Sequence, residues 1–196
     1  MRIVIQRVTE AEVSIVETMP TRTGGTQTAE TSGTQTAETG GTQTAETDGT
    51  QTAETGNKKE PATTKKRSIG EGFAILVGIC EDDGPEDVEW LVRKVIGLRV
   101  FDDENGVMNR SIMDVDGECL VVSQFTLFAS YKKGNRPSWL RAARHEVSVP
   151  LYELFCKQLE QQLGKPIATG EFGAMMRISL VNDGPVTICM DTKNKE

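Results

Sequence analysis

Polar and apolar positions alternate from Arg2 to Val8 around Ile3, Val4 and Ile5, and again from Glu12 to Val16, which predicts two strands joined by a short turn. Phe73 to Ile79 is instead an unbroken apolar run, the pattern of a strand covered on both faces. Next, Asp82-Asp83-Gly84-Pro85-Glu86-Asp87 offers capping residues and an early proline, and Trp90, Leu91, Lys94, Val95 and Leu98 follow at helical spacing. A helix is therefore expected from about Pro85 to Leu98. A strand over Leu98 to Phe101 should lead into the turn Asp102 to Gly106, and another should run from Glu118 to Leu127. Val147, Leu151, Leu154, Phe155 and Leu159 form the stripe of a second helix within residues 146–163. Strands over 174–182 and 185–190 close the chain. The fold class expected is α/β: a single β-rich domain with mixed, barrel-like sheets and about two main helices.

One segment fits none of these periods. Four copies of an eight-residue unit, each beginning Gly-Thr-Gln-Thr-Ala-Glu-Thr, run from Gly25 to Gly56. Apart from its alanine the unit has no apolar residue to bury, and a period of eight is too short for the common solenoids. Residues 20–67 are thus expected to be a disordered, low-complexity insertion at the tip of an N-terminal hairpin, interrupting a single domain over 1–196. A hairpin tip tolerates this, since each doubling of loop length costs only roughly 0.6 kcal/mol.

Charge narrows the functional classes. The formal net charge is −7. Within the insertion, residues 20–57 carry one arginine against five acids and residues 58–67 carry five cations against one acid, so the two halves cancel. The acidic body is no general polyanion binder, and any RNA contact must be local. The best local candidate is Tyr131 to His145, which contains Lys132, Lys133, Arg136, Arg141 and Arg144, no acid, and Tyr131 and Trp139 for stacking on bases. A solvated loop with Trp139 in the core is the alternative, and Lys58 to Arg67 would add a flexible basic arm. The four cysteines form no Cys-x-x-Cys pair, and no signal peptide or long apolar run is visible. A cytoplasmic protein with reduced thiols, no metal site and no membrane contact is expected.

Two segments carry the chemistry. Ser123-Gln124-Phe125-Thr126-Leu127 ends an apolar run, and Asn182-Asp183-Gly184-Pro185-Val186-Thr187 breaks one, since proline supplies no N–H to a ladder. His145 is the single histidine and no Gly-x-Ser-x-Gly turn accompanies it, so a Ser-His-Asp triad has little to build on. Each segment by itself also reads as an ordinary strand end or a trans Gly-Pro turn.

Taken together the two segments resemble the signature motifs of the D-aminoacyl-tRNA deacylases, in the branch first described as D-tyrosyl-tRNA deacylase. Ile5-Gln6-Arg7-Val8, Arg136-Pro137-Ser138 and Gly170 to Met176 match that family as well, and the repeat insertion departs from it. The resemblance implies hydrolysis of the ester between a D-amino acid, or mischarged glycine, and tRNA, a proofreading step needing no cofactor. It implies catalysis at Ser123, Gln124, Phe125 and Thr126 by main-chain groups that bind the carbonyl, helped by the 2′-hydroxyl of the terminal adenosine. Thr126 as a covalent nucleophile is the older alternative, without an obvious base beside it. Further implications are a cis Gly184-Pro185 bond that excludes L-side chains and a pocket including Asn182, Val186, Thr187, Ala174 and Met176; with tRNA as the substrate, the basic run read from charge makes Lys132, Lys133 and Arg136 the expected tRNA contacts. The partners implied are aminoacyl-tRNA and a second copy of the chain, in a homodimer with its active site at the interface. A nucleic-acid-binding homodimer with little or no hydrolase activity, and a generic esterase, are the competing readings.

Overall fold

The computed structural model describes residues 1–16 and 63–195; the repeats and the rest of the expected insertion up to residue 62 lie outside them. Instead of two strands joined by a turn, Arg2–Val16 forms one long strand, β1. Thr9 and Glu10 are exposed but stay within the strand, Glu10 pairing with Val181. β2 (Thr63–Ile69) begins before the expected resumption at Arg67, because Thr63, Lys65, Lys66 and Arg67 pair with Val16, Ile15, Ser14 and Val13. Lys65 to Arg67 are thus strand residues rather than a flexible arm, with Lys66 Nζ 2.9 Å from Glu12 and Arg67 Nη1 donating to Thr169 Oγ1 at 2.7 Å.

β3 (Gly72–Gly78) runs antiparallel to the first half of β1. Helix α1 covers Pro85–Gly97, after which Leu98 caps it through its N–H to Val95 O. That cap shortens the expected strand to β4 (Phe101–Asp102), paired with β5 (Met108–Arg110). β6 (Glu118–Ser123) lies parallel to β3 and stops earlier than expected, turning into a 3-10 helix over Phe125–Phe128. Helix α2 (His145–Leu163), β7 (Ala168–Thr169), parallel to β6, and β8 (Met176–Asp191) complete the chain. β8 follows β1 along its whole length, opposite the edge shared by β2 and β3. With Arg67 bonded to Thr169 and Gly170, the sheet order β2-β1-β3-β6-β7 curls towards a barrel.

Strand periodicity divides the core. Phe73, Ile75, Val77, Cys119 and Val121 face α1 and α2, where Leu91, Val95, Phe155 and Leu159 are buried. Ala74, Leu120 and Val122 face the other way and meet Val8, Val13 and Ile69. β3 and β6 are covered on both faces, as the continuous apolar runs require. No helix among the described residues is long and apolar enough to cross a membrane.

The end of β8 is tied to the start of α1. Burial alone would raise the Asp87 carboxyl, but hydrogen bonds from Lys193, Thr192 and the Gly84 N–H outweigh it and hold the group down to about 2. A depressed carboxylate stabilises the fold above its ordinary value, and that contribution is lost as pH falls through the folded value. The structure therefore loses stability between about pH 4 and pH 2. Asp87→Asn should cost on the order of 1–2 kcal/mol at neutral pH, discounted for the half-exposed Lys193, and about half as much at pH 3. Urea midpoints at pH 7 and pH 3 check both.

Candidate active site

β6 carries its ladder one residue past its end, where the Gln124 N–H donates to Val77 O at 2.7 Å. The chain then tightens: Leu127 N–H reaches Gln124 O at 3.3 Å and Ala129 N–H reaches Thr126 O at 3.0 Å. Phe125 and Thr126 open this turn, so their N–H groups have no acceptor within it. Neither donates to another described residue. The corner is braced from behind. A Cβ on Gly78 would lie 3.0 Å from Leu127 Cβ and 3.1 Å from Gln124 O, so the backbone packs directly on that glycine. Arg2 donates to Leu127 O at 3.1 Å, pairs with Asp191 at 2.7 Å, and sits over the buried Phe128 ring.

Within the corner, the Gln124 side-chain amide donates to Thr126 Oγ1. Among the described residues no histidine or carboxylate bonds to Thr126. His145, at the start of α2, instead meets Phe172 edge-on at 5.4 Å. The segment after β7 lies beside this corner: Gly170 N–H donates to Val121 O at 2.9 Å, and the Glu171 N–H reaches Met176 Sδ at 3.4 Å. Ala174, whose N–H donates to Glu171 O, and Met176 thereby sit next to the end of β6, with Gly170 close to Val122.

The other motif forms a second corner. β1 pairs Val8 with Asn182 and Gln6 with Thr187, so residues 183–186 stand out as an excursion opposite Arg7. The expected break between strands is therefore a bulged excursion within the single strand β8. Asn182 Nδ2 bonds Val186 O at 3.1 Å across its base, and the Gly184-Pro185 bond is cis. Arg7 is buried and holds the excursion to the sheet. Its Nη1 donates to Val100 O at 2.6 Å and to Asp102 Oδ1 at 3.3 Å. Its Nε lies 2.9 Å from Asp183 Oδ2, an ion pair too poorly aligned to be a hydrogen bond. Gly184 takes φ +113°, and a Cβ there would meet Val186 Cγ2 at 2.8 Å and Arg7 Nη2 at 3.0 Å.

One chain does not bring the two corners together. The first is tethered at Arg2 and the second at Arg7, about 17 Å further along β1 at roughly 3.4 Å per residue. Asn182, Val186 and Thr187 go with the Gly-Pro corner; Ala174 and Met176 go with the Ser123 corner. Gly184 and Pro185 are exposed. Lys132, Lys133 and Arg136 lie on an exposed loop closed by a bridge between Ser130 and Ser138. That loop adjoins the first corner through Trp139, which meets Phe125 edge-on at 5.3 Å and is 40% exposed rather than in the core.

The family model described as D-Tyr-tRNA(Tyr) deacylase matches residues 57–191. The chain belongs to this family. Curated relatives named D-aminoacyl-tRNA deacylase include one from Bacteroides thetaiotaomicron, 66% identical over 131 residues, covering 67% of this chain and 87% of the relative. Another, from Chromobacterium violaceum, is 62% identical over 128 residues, covering 65% and 85%. Among solved structures, one titled c-Myc DNA Unwinding Element Binding Protein superposes with a TM-score of 0.69 at 31% identity, over 98% of this chain and 99% of that one. One titled as a probable eukaryotic D-amino acid tRNA deacylase gives 0.63 at 13% identity, over 96% and 97%, a likeness of fold. As a member of the deacylase family the chain is a hydrolase.

Sequence reasoning gave Arg7 no role in this deacylase fold. A signal was present: positions 3, 5 and 7 share one face of β1, where Ile3 and Ile5 are core residues, so a cation at 7 is buried and needs partners. Those partners, Val100, Asp102 and Asp183, come from distant parts of the chain.

Proposed function

We propose that this chain hydrolyses the ester between a D-amino acid, or mischarged glycine, and tRNA, as a cytoplasmic proofreading homodimer. The carrying observation is the pair of N–H groups of Phe125 and Thr126, unpaired at the head of a braced turn, with no side-chain base at Thr126. Water adds to the ester carbonyl, the oxyanion accepts from those two groups, and the bond to the ribose 3′-oxygen breaks to release the amino acid. The neighbouring 2′-hydroxyl of the terminal adenosine assists the water. One such donor is worth on the order of 10²–10³ in rate. Ser123 and Gln124 hold the turn, the Gln124 N–H being committed to Val77.

The separation of the two corners supports a dimer in which Gly184-Pro185 of one copy faces the Ser123 corner of the other. Met175, Ile178 and Val181 on or beside β8 are exposed apolar side chains consistent with a covered face. Backbone at Gly184-Pro185 would exclude an L-side chain more sharply than packing does, since one methylene is worth only about 1–3 kcal/mol in an apolar pocket. Lys132, Lys133 and Arg136 would hold tRNA phosphates.

Ester loss from D- and L-aminoacyl-tRNA, followed with purified protein, tests this reading. Fast release from the D-form alone is expected, and equal rates on both would remove the chiral role of Gly184-Pro185. Absence of release would favour a nucleic-acid-binding homodimer, the reading that the similarity to a DNA-element-binding protein supports. Thr126→Ala should keep activity within about tenfold, since it removes a hydroxyl but no backbone donor; complete loss in a folded variant would make Thr126 the nucleophile.

A further inference from the structure

Beside the Ser123 corner, on the far side of Trp139, a groove of about 890 Å³ runs between the Ser130–Ser138 bridge and the start of α2. Its floor is tied down. Ala142 N–H donates to Trp139 O, Ala143 N–H to Ile79 O, both at 2.9 Å, and Arg144 N–H to Glu81 Oε1 at 2.8 Å. Its walls combine apolar faces with cations: Trp139, Leu140 at 92% exposed, Arg136 and Arg144. Among the described residues Glu81 is the one carboxylate lining it, and that group already accepts the Arg144 N–H. In a chain of formal charge −7, a site with two arginines to one acid runs against the overall balance.

We infer that this groove is a second RNA subsite, holding the unpaired nucleotides that precede the terminal adenosine of tRNA. The inference rests on the function proposed above. Bases stacked on exposed aromatic and apolar side chains, with arginines on the intervening phosphates, are the recognition mode of single strands. A duplex presents phosphates and buried base faces, and would leave Leu140 and the open part of Trp139 without a partner. Continuity decides the occupant. Phe125 at the reaction corner touches Trp139 at the groove edge, so a strand whose last nucleotide sits at the corner passes into the groove. The subsite would make the enzyme read a free single-stranded 3′ end in addition to the aminoacyl ester.

The test uses a short oligoribonucleotide ending in C-C-A, uncharged, and the same sequence annealed into a blunt duplex. In a Trp90→Phe background, Trp139 is the one tryptophan, and its emission reports stacking. The single strand should quench it with affinity that falls with salt, and Leu140→Asp and Arg144→Glu should each weaken binding about tenfold or more. Both side chains are exposed, so the variants should fold. No quenching by the single strand, equal binding of the duplex, or unchanged affinity in both variants would each overturn the subsite. D-aminoacyl-tRNA hydrolysis by the same wild-type protein separates the two claims. Hydrolysis without quenching removes the groove alone, whereas quenching without hydrolysis removes the enzymatic reading alone.

Discussion

Gly184→Ala is expected to lower kcat/KM for D-aminoacyl-tRNA by about 10²-fold and to shrink the D-to-L ratio by at least tenfold. At φ +113° an L-residue is strained by roughly 1–2 kcal/mol. The added methyl would also press on Val186 Cγ2 at 2.8 Å, Arg7 Nη2 at 3.0 Å and Val186 N at 3.1 Å. None of these yields cheaply. Val186 packs against the main core, one of the contacts is backbone, and Arg7 is fixed by Val100 O and its acidic neighbours. The excursion must therefore shift, and a displacement of about 1 Å in a positioning element can cost 10²-fold. Single-turnover hydrolysis of both enantiomers, with urea midpoints alongside, measures the effect. An unchanged D-to-L ratio in a folded variant would separate Gly184 from selectivity.

The second large effect should appear at Phe125, where one atom can be removed without disturbing the core. Phe125→Pro deletes the N–H assigned to the oxyanion, and Phe125→Ala deletes the ring but keeps the N–H. Proline is acceptable as the first residue of a helical turn, and Gln124 before it lies outside the α region at φ −144° and ψ 82°. The side chain is 56% exposed, so neither variant opens a cavity. Phe125→Pro should be slower than Phe125→Ala by on the order of 10²–10³ in kcat. Equal rates for the two would mean that the Phe125 N–H does not bind the developing charge.

Much of the fold was legible because its signals are local. The run Phe73 to Ile79 needs cover on both faces wherever it lies, and it received it from the helices and from the second cluster around Val8 and Leu120. Pro85 at the head of α1 and the stripe of α2 act within a few residues, and both helices came out within one residue of expectation. Misreadings fell where a partner decides. Thr9 and Glu10 look like a turn, but β8 resumes pairing at Glu10, so Thr9 is passed over as an irregularity within one strand. The segment from Thr63 to Arg67 is polar enough to pass for linker, yet β1 supplies its hydrogen bonds. Phe125 to Leu127 continue a strand pattern, but the β3–β6 ladder ends where Val77 accepts from Gln124, and Gly78 packs against the turn instead of pairing with it.

At the site the same division holds. Sequence by itself determined which residues form the two corners, because Ser-Gln-Phe-Thr-Leu and Asn-Asp-Gly-Pro-Val-Thr are contiguous and their backbone chemistry is a property of each segment. It also limited a histidine base to one residue, His145, which the fold turns towards Phe172. Tertiary structure alone decided that Arg7 clamps the Gly-Pro excursion to β4 and that Gln124 spends its N–H on Val77, leaving Phe125 and Thr126 as donors. It alone placed the two corners at different points along β1. Those facts depend on which distant residues share an edge or a face, and hydrogen bonding between segments far apart in the chain leaves no period to read.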